Sequence, residues 1–341
     1  MPSYLYNLAT DKIRGPAGFF PKAALFVLSL IYGIIIRLIS FVLGLIRISL
    51  PVKVISIGNI TVGGTGKTSL VEYIAGFLKE GGKRPVILTR GYGSGDEPEM
   101  LEERLSGIPV IIGPDRIRSG RRAVREYCAD TLILDDAFQQ WHMKKDLDIV
   151  TINAGSSFGN RNMIPRGILR EPLSALKRAH VFVLTKTDLV PGTDRLKDEL
   201  HRINPRAEIF ESVHCPVNIY RMNERGKPLP LGAFKGRSAV IFCGIGDPDS
   251  FERLIKNCGI KPLLNLRFPD HYDYADADLE NIISQARSRS ADEIITTEKD
   301  AARIMNSGLN DFNAEISVLR IELKIKESER FDFRLLSMYS V

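Results

Sequence analysis

Between Ala23 and Ile46 the chain carries one charged residue, Arg37, in an otherwise apolar run. About 20 apolar residues suffice to cross a bilayer, so this segment is long enough to span one. Its polar and small residues are not scattered. At about 100° per residue, Ser29, Gly33, Arg37, Ser40, Gly44 and Arg47 fall within an arc of roughly 80° on a helical wheel, with large apolar side chains around the rest. That stripe predicts a helix lying deep in one leaflet, its narrow polar edge towards headgroups or the protein body, in preference to a plain spanning anchor. Arg37 can reach lipid phosphates along its stem. Lys12, Arg14 and Lys22 before the run, with Arg47 and Lys53 after it, add attraction to anionic lipid. The run is too long for a signal peptide and no small-residue cleavage site follows it.

Beyond residue 50 the pattern changes to short apolar or β-branched runs alternating with helical periodicity. Candidate strands are Val54 to Gly58, Pro85 to Thr89, Pro109 to Ile112, Leu132 to Asp135, Ile149 to Ile152 and Val181 to Leu184. Strand and helix in alternation predict an α/β fold with a doubly wound, mostly parallel sheet of the P-loop NTPase type. Gly226, Pro228, Pro230 and Gly232 mark residues 217–233 as a linker. A second, smaller α/β unit is predicted to start at Ala239 to Phe242, with a helix from Ser250. The expected organisation is a membrane-associated segment over 1–50, a larger α/β domain over 51–216, the linker, and a C-terminal α/β domain over 234–341. Gly244 and Gly246 lack the third glycine of a dinucleotide fingerprint and read better as a tight strand-to-helix turn.

The first of those strands leads into the main chemical signal. Gly58-Asn59-Ile60-Thr61-Val62-Gly63-Gly64-Thr65-Gly66-Lys67-Thr68-Ser69 lies close to the phosphate-loop pattern G-x-x-x-x-G-K-[ST]. Residues 69–80 then read as an amphipathic helix with Leu70, Ile74, Phe77 and Leu78 on one side. Glycines let backbone N–H groups curl around a polyphosphate, and the helix N-terminus adds positive potential. Lys67 is placed to reach the β- and γ-phosphates of a nucleotide, and the Thr68 hydroxyl to ligate Mg2+. The acidic partner such a loop needs is Asp135-Asp136, at the carboxyl end of the Leu132 strand.

Composition narrows this little. Of 341 residues, 44% are hydrophobic and 26% charged, ordinary for a globular chain, and the net charge of +6 favours anionic partners of any kind. Cys128, Cys215, Cys243 and Cys258 form no C-x-x-C pair, which excludes a disulfide framework or a structural zinc site as the organising feature.

Several further segments have no generic explanation. They are Thr89-Arg90-Gly91-Tyr92-Gly93, Gly95-Asp96-Glu97-Pro98, Asp135-Asp136-Ala137-Phe138-Gln139, Pro165-Arg166-Gly167, Leu169-Arg170-Glu171-Pro172-Leu173, Phe268-Pro269-Asp270-His271-Tyr272-Asp273-Tyr274 and Thr297-Glu298-Lys299-Asp300. With the phosphate loop they resemble the tetraacyldisaccharide 4'-kinases, the lipid A 4'-kinases, in order along nearly the whole chain. The resemblance implies two α/β domains with ATP and a lipid held between them. It implies transfer of the ATP γ-phosphate to the 4'-hydroxyl of a tetraacylated glucosamine disaccharide 1-phosphate, at the cytoplasmic face of a bacterial inner membrane. It further implies that Asp96 accepts the proton of the acceptor hydroxyl, that His271 pairs with it, and that Asp135 and Asp136 serve the metal. Gln139, Arg170 and Glu171 then line the active site, and Arg116 lies near the nucleotide. The chain departs from the pattern in two places. Only Gly93, Ser94 and Gly95 separate Tyr92 from Asp96, and Ala137 and Gln140 stand where the family carries glycine and histidine.

Two other readings compete. Thr185-Lys186-Thr187-Asp188, after the apolar run from Val181, resembles the guanine-specifying [NT]-K-x-D motif of GTPases, in which the aspartate accepts hydrogen bonds from the guanine edge. Against a GTPase switch stands Asp-Asp-Ala-Phe in place of D-x-x-G, and the Cys and His ligands of a metal-insertion GTPase are missing. The basic run Arg116, Arg118, Arg121, Arg122 and Arg125 suggests nucleic-acid binding, but no aromatic platform is interleaved with it and it reads as a solvated helix face. No nucleic-acid partner is expected.

Overall fold

The computed structural model describes residues 19–90, 104–105, 107–224, 226–270, 272–307 and 316–340. Asp96, His271 and the segment from Gly91 to Pro98 lie outside the described residues. The chain divides into two compact units. One comprises residues up to Arg90, Leu105–Val213 and Ile325–Val341; the other comprises Gly91–Arg104 and His214–Lys324.

The first unit opens with helix α1 (Phe19–Leu45). The residues it turns partly or wholly away from solvent, beyond Pro21 and Lys22 in its first turn, are Leu25, Ser29, Tyr32, Gly33, Ile36, Ser40, Leu43 and Gly44, a single helical stripe. Ser29 and Gly33 are its buried members, and a Cβ on Gly33 would lie 3.1 Å from the Met163 sulfur. The polar edge predicted for this helix therefore faces the protein at Ser29, Gly33 and Ser40, while Arg37 and Arg47 remain exposed. Phe26, Leu30, Ile34, Leu38, Phe41 and Leu45 are all exposed, and α1 is long and apolar enough to cross a membrane.

The remaining elements of this unit are β1 (Lys53–Gly58), α2 (Lys67–Glu80), β2 (Pro85–Thr89), β3 (Val110–Ile112), α3 (Arg116–Tyr127), β4 (Thr131–Asp135), β5 (Leu147–Asn153), β6 (Val181–Thr185) and α4 (Asp194–Ile203). To these it adds the first residues of β7 (Glu208–Arg221). Across the sheet the strands run β7-β6-β5-β1-β4-β2-β3, and each adjacent pair is parallel. All six expected strands are present, with boundaries within three residues. The continuous apolar runs of β2, β4 and β6 are buried on both faces, as a sheet covered by helices on both sides requires. α3 starts where the Asp115 carboxylate accepts the N–H groups of Ile117 (2.9 Å) and Arg118 (3.0 Å). Four of its five arginines, Arg118, Arg121, Arg122 and Arg125, are exposed as a solvated face requires, and Arg122 and Arg125 pair with Glu126 at the surface; Arg116 alone is buried.

The second unit holds the rest of β7, β8 (Leu229–Pro230), β9 (Ser238–Cys243), α5 (Pro248–Asn257), β10 (Lys261–Arg267), α6 (Asp276–Ser288), β11 (Glu293–Thr297), α7 (Glu298–Asn306) and β12 (Ile316–Ile325). Strands β10, β9, β11 and β12 are parallel neighbours in that order. Alternate residues of β9 feed two cores: Val240 and Phe242 join α6 and α7, while Ala239, Ile241 and Cys243 join α5. Residues 217–233 are more than a linker, since Asn218 and Ile219 of β7 pair antiparallel with Pro230 and Leu229 of β8.

The chain end differs from the expected division as well. Helix α8 (Ser328–Leu336) belongs to the first unit, where Phe331 is fully buried against Phe210 and Tyr73 and the Tyr73 hydroxyl donates to Asp332 at 3.0 Å. Its apolar residues are too few to announce so distant a partner.

Candidate active site

β1 ends at Gly58 because nothing larger fits there. A Cβ at that position would meet the Phe138 backbone nitrogen at 2.4 Å and the Phe138 Cβ at 2.6 Å. Gly58→Ala is therefore expected to cost about 1–3 kcal/mol or more of stability, read by chemical denaturation. Gly64→Ala is the control, since its Cβ would meet nothing within 4 Å. Equal stabilities of the two variants would contradict this account.

From Gly58 the chain wraps into a loop held from several directions. Val62 donates its N–H to the Ile168 carbonyl at 2.8 Å, and Thr61 bridges to Leu169. The Asn59 amide reaches the Gly63 carbonyl at 3.4 Å. Thr65 is buried, its hydroxyl 2.8 Å from that of Thr151 and its carbonyl accepting the Thr185 hydroxyl at 3.1 Å. Gly63 (φ 119°) and Gly66 (φ 78°) occupy the left-handed half of backbone space, which glycine adopts without strain. α2 then begins at Lys67 with no side-chain cap, so the Lys67, Thr68 and Ser69 end of the helix presents unsatisfied N–H groups at the loop. Gly63, Gly64 and Val62 are exposed; Thr68 is nearly buried.

Next to β1 in the sheet, β4 delivers its carboxylates at the same end. Asp135 is buried, and Asp136 follows in a left-handed turn (φ 47°). The positive φ falls on Asp136 and not on Ala137, so an alanine suits the position where the family carries glycine. Lys67 Nζ lies 3.6 Å from Asp136 Oδ1, and Arg170 Nη1 donates to both Asp136 oxygens at 2.9 Å. Burial alone would push the Asp136 carboxyl up, but the Lys67 ammonium and Arg170 guanidinium outweigh it and hold it below the usual carboxylate range. Asp136 is therefore an anion at neutral pH.

The predicted lining residues divide by role. Arg170 is at the site through Asp136. Glu171 is buried and saturated: Arg178 pairs with both its oxygens at 2.9 and 3.0 Å, and Gln139 and Trp141 donate to it at 3.1 and 3.2 Å. Gln139 also donates to the Asn59 carbonyl at 3.0 Å. These two tie the phosphate loop to the turn after β4. Arg116 is buried and donates to the carbonyls of Gly113 and Asp135, each at 3.0 Å, so it braces the carboxyl end of β4.

Sequence reasoning missed two participants. Lys145, nearly buried, donates to the carbonyls of Ala137 and Phe138 at 2.6 and 3.2 Å and fixes the turn that carries Asp136. Tyr32 of α1 donates its hydroxyl to the Arg170 carbonyl at 3.0 Å. A lysine close behind an aspartate pair is a faint signal; a tyrosine in an apolar helix is none.

Thr68, Asp135 and Asp136 supply hard oxygen donors of the kind Mg2+ takes. Among the described residues no group of three or more His, Cys, Asp and Glu forms a dedicated metal cage. A few protein oxygens completed by phosphate and water are what a nucleotide-borne Mg2+ requires, so the donor set fits.

A phosphate loop with its lysine on a helix N-terminus, and an aspartate pair on the adjacent parallel strand, define a P-loop phosphotransferase. The model of the tetraacyldisaccharide-1-P 4'-kinase family matches residues 21–94 and 93–340. The tetraacyldisaccharide 4'-kinase of Halothermothrix orenii is 36% identical over 96% of this chain and 95% of its own, and that of Syntrophobacter fumaroxidans 37% identical over 76% and 73%. The crystal structure of LpxK from Aquifex aeolicus, in complex with ATP, superposes with a TM-score of 0.73 at 28% identity, covering 94% of this chain and 99% of that one. The chain belongs to the tetraacyldisaccharide 4'-kinase family, and it is a kinase.

In the second unit, the G-x-G segment is a structural turn. The Gly244 N–H donates to the buried Asp300 carboxylate at 3.0 Å, so it is not available to a phosphate. Asp300 also accepts from Tyr274 (3.1 Å), Arg303 (3.1 Å) and the Thr297 hydroxyl (2.6 Å), which assigns the Thr297 to Asp300 motif to bracing this turn. Phe268, Tyr272 and Tyr274 stack edge-on or tilted, with ring centroids 4.8 to 5.3 Å apart.

Proposed function

We propose that this chain transfers the γ-phosphate of ATP, with Mg2+, to the 4'-hydroxyl of a tetraacylated glucosamine disaccharide 1-phosphate in lipid A biosynthesis. The observation that carries the reading is Lys67 beside Asp136 on an intact phosphate loop, in a member of the 4'-kinase family. Lys67 follows the β- and γ-phosphates, and the loop N–H groups from Gly63 to Thr68 cradle them. Thr68 with Asp135 and Asp136 would hold Mg2+, which neutralises phosphate charge when bound. Arg170 keeps Asp136 ionised and oriented once Lys67 turns to the phosphates. The acceptor oxygen forms a bond to the γ-phosphorus, the bond to the β,γ-bridging oxygen breaks, and the acceptor proton passes to Asp96, supported by His271. Phosphate transfer from labelled ATP to the disaccharide 1-phosphate lipid in detergent tests this directly. No labelled lipid under saturating ATP would end the reading.

The proposed location is the cytoplasmic face of a bacterial inner membrane, with α1 seated among its lipids. Its exposed apolar face and the Ser29 to Gly44 stripe turned to the protein support a helix that lies on the first unit while meeting lipid. Removing residues 1–50 is expected to release the chain from sedimented vesicles. It should weaken use of the lipid far more than ATP binding. Full co-sedimentation of the shortened chain would refute a membrane role for α1.

A further inference from the structure

Thr297-Glu298-Lys299-Asp300 is among the segments that carry the family resemblance, and bracing the Gly244 turn accounts for only part of it. The motif opens α7. The Thr297 hydroxyl accepts the Asp300 N–H at 3.2 Å and donates to the Asp300 carboxylate at 2.6 Å, which caps and fixes the first turn. From that turn Glu298 and Asp300 reach two different parts of the second unit.

Asp300 is fully buried and holds the chain on both sides of position 271. Its carboxylate accepts the Tyr274 hydroxyl at 3.1 Å and the Gly244 N–H at 3.0 Å. Gly244 lies directly against the segment around that position, since a Cβ on it would meet the Pro269 carbonyl oxygen at 3.1 Å and the Tyr272 Cβ at 3.2 Å. Pro269, Tyr272 and Tyr274 flank His271 in the chain, and all three rest on or beside one buried carboxylate. Glu298 holds the other segment. It pairs with Arg104, the two side chains only 10% and 13% exposed, and the same Glu298 oxygen accepts the Ile321 N–H of β12 at 3.4 Å. Arg104 closes Gly91–Arg104, which carries Asp96 and belongs to the second unit although its chain neighbours on both sides belong to the first. An exposed ion pair holds almost nothing, whereas a pair this far out of water is costly to break. One helical turn therefore ties down both segments on which the acceptor chemistry depends.

We propose that Glu298 and Asp300 are positioning residues that set Asp96 and His271 against each other; this rests on the reading of those two residues as base and support given above. Asp300 acts on His271 through Tyr274 and Gly244, and Glu298 acts on Asp96 through Arg104. Proton transfer needs its partners within hydrogen-bond reach, and a misplacement of about 1 Å costs on the order of 10²-fold in rate. Two anchors on one stiff turn keep that spacing, which two separately anchored loops would not.

The test is steady-state phosphate transfer from labelled ATP to the disaccharide 1-phosphate lipid, by the full chain in detergent, for Glu298→Gln and Tyr274→Phe. Glutamine keeps the shape and loses the charge facing Arg104; phenylalanine keeps the ring and loses only the hydroxyl on Asp300. Each is expected to lower kcat by about 10- to 100-fold with KM for ATP unchanged. Arg104→Gln should repeat the Glu298→Gln loss, and carries the same test should Glu298→Gln fail to fold. Arg104→Lys, which keeps the charge, should recover most of the rate. The deciding measurement repeats each change where its target is already lost. Glu298→Gln in Asp96→Asn, and Tyr274→Phe in His271→Ala, should each cost less than about threefold more, because groups that act as a unit are not additive. Losses that multiply in those backgrounds, or an unchanged kcat in either single variant, overturn the anchor and leave the kinase reading standing. An Asp96→Asn chain with unchanged kcat overturns base and anchor together.

Discussion

Lys67→Ala is expected to remove phosphotransfer almost entirely while leaving the fold intact. Deleting one preorganised hydrogen-bond donor from a reaction site typically costs about 10²–10³ in kcat, and Lys67 contributes a full charge where negative charge shifts from the γ- to the β-phosphate. A loss at or above the top of that range is expected in single-turnover assays with labelled ATP. The fold should survive because the partner of Lys67, Asp136, retains both Arg170 bonds. Far-ultraviolet dichroism and melting temperature check that point. A variant keeping most of its activity would exclude Lys67 from the phosphates and with it the kinase mechanism.

The first unit was largely legible because its strands lie in the middle of a parallel sheet, buried on both faces. A run such as Leu132-Ile133-Leu134 has one physical reading there. The phosphate loop was legible for a related reason, since wrapping backbone around phosphate demands glycine at fixed places, and Gly58, Gly63 and Gly66 are each held there by a contact or a dihedral. What escaped the sequence depends on partners far along the chain. β7 mixes polar and apolar residues over fourteen positions and carries no clean period, because its two halves belong to different compact units. Arg116 was placed near the nucleotide by its family position alone. Only the bonds to Gly113 and Asp135 show that it holds the strand end in place. Glu171 read as a site residue from its family position, and what the sequence could not show is its set of partners, Arg178, Gln139 and Trp141. The helix α1 stripe was correctly seen as special, but a wheel cannot say whether small residues face headgroups or a methionine. The Met163 contact at Gly33 decides for the protein side.

Asp96→Asn carries the other large expected effect, because the acceptor hydroxyl has to lose its proton. Asparagine keeps the shape of the side chain and removes the charge that receives that proton. The loss should therefore fall on kcat, with KM for the lipid and for ATP little changed. General-base groups contribute about 10²–10⁴-fold, and the expected loss lies in that range. In a loose transition state the hydroxyl proton moves late, so the variant should keep measurable turnover, unlike Lys67→Ala. His271→Ala should cost less alone, since it supports the carboxylate without taking the proton. If the two residues act as a unit, the double variant is scarcely worse than Asp96→Asn, because coupled catalytic groups are not additive. Losses that multiply would show His271 acting separately on phosphate or lipid. An Asp96→Asn enzyme with unchanged kcat would remove the base from Asp96. Asp135 or Asp136 would then be the carboxylate to test next.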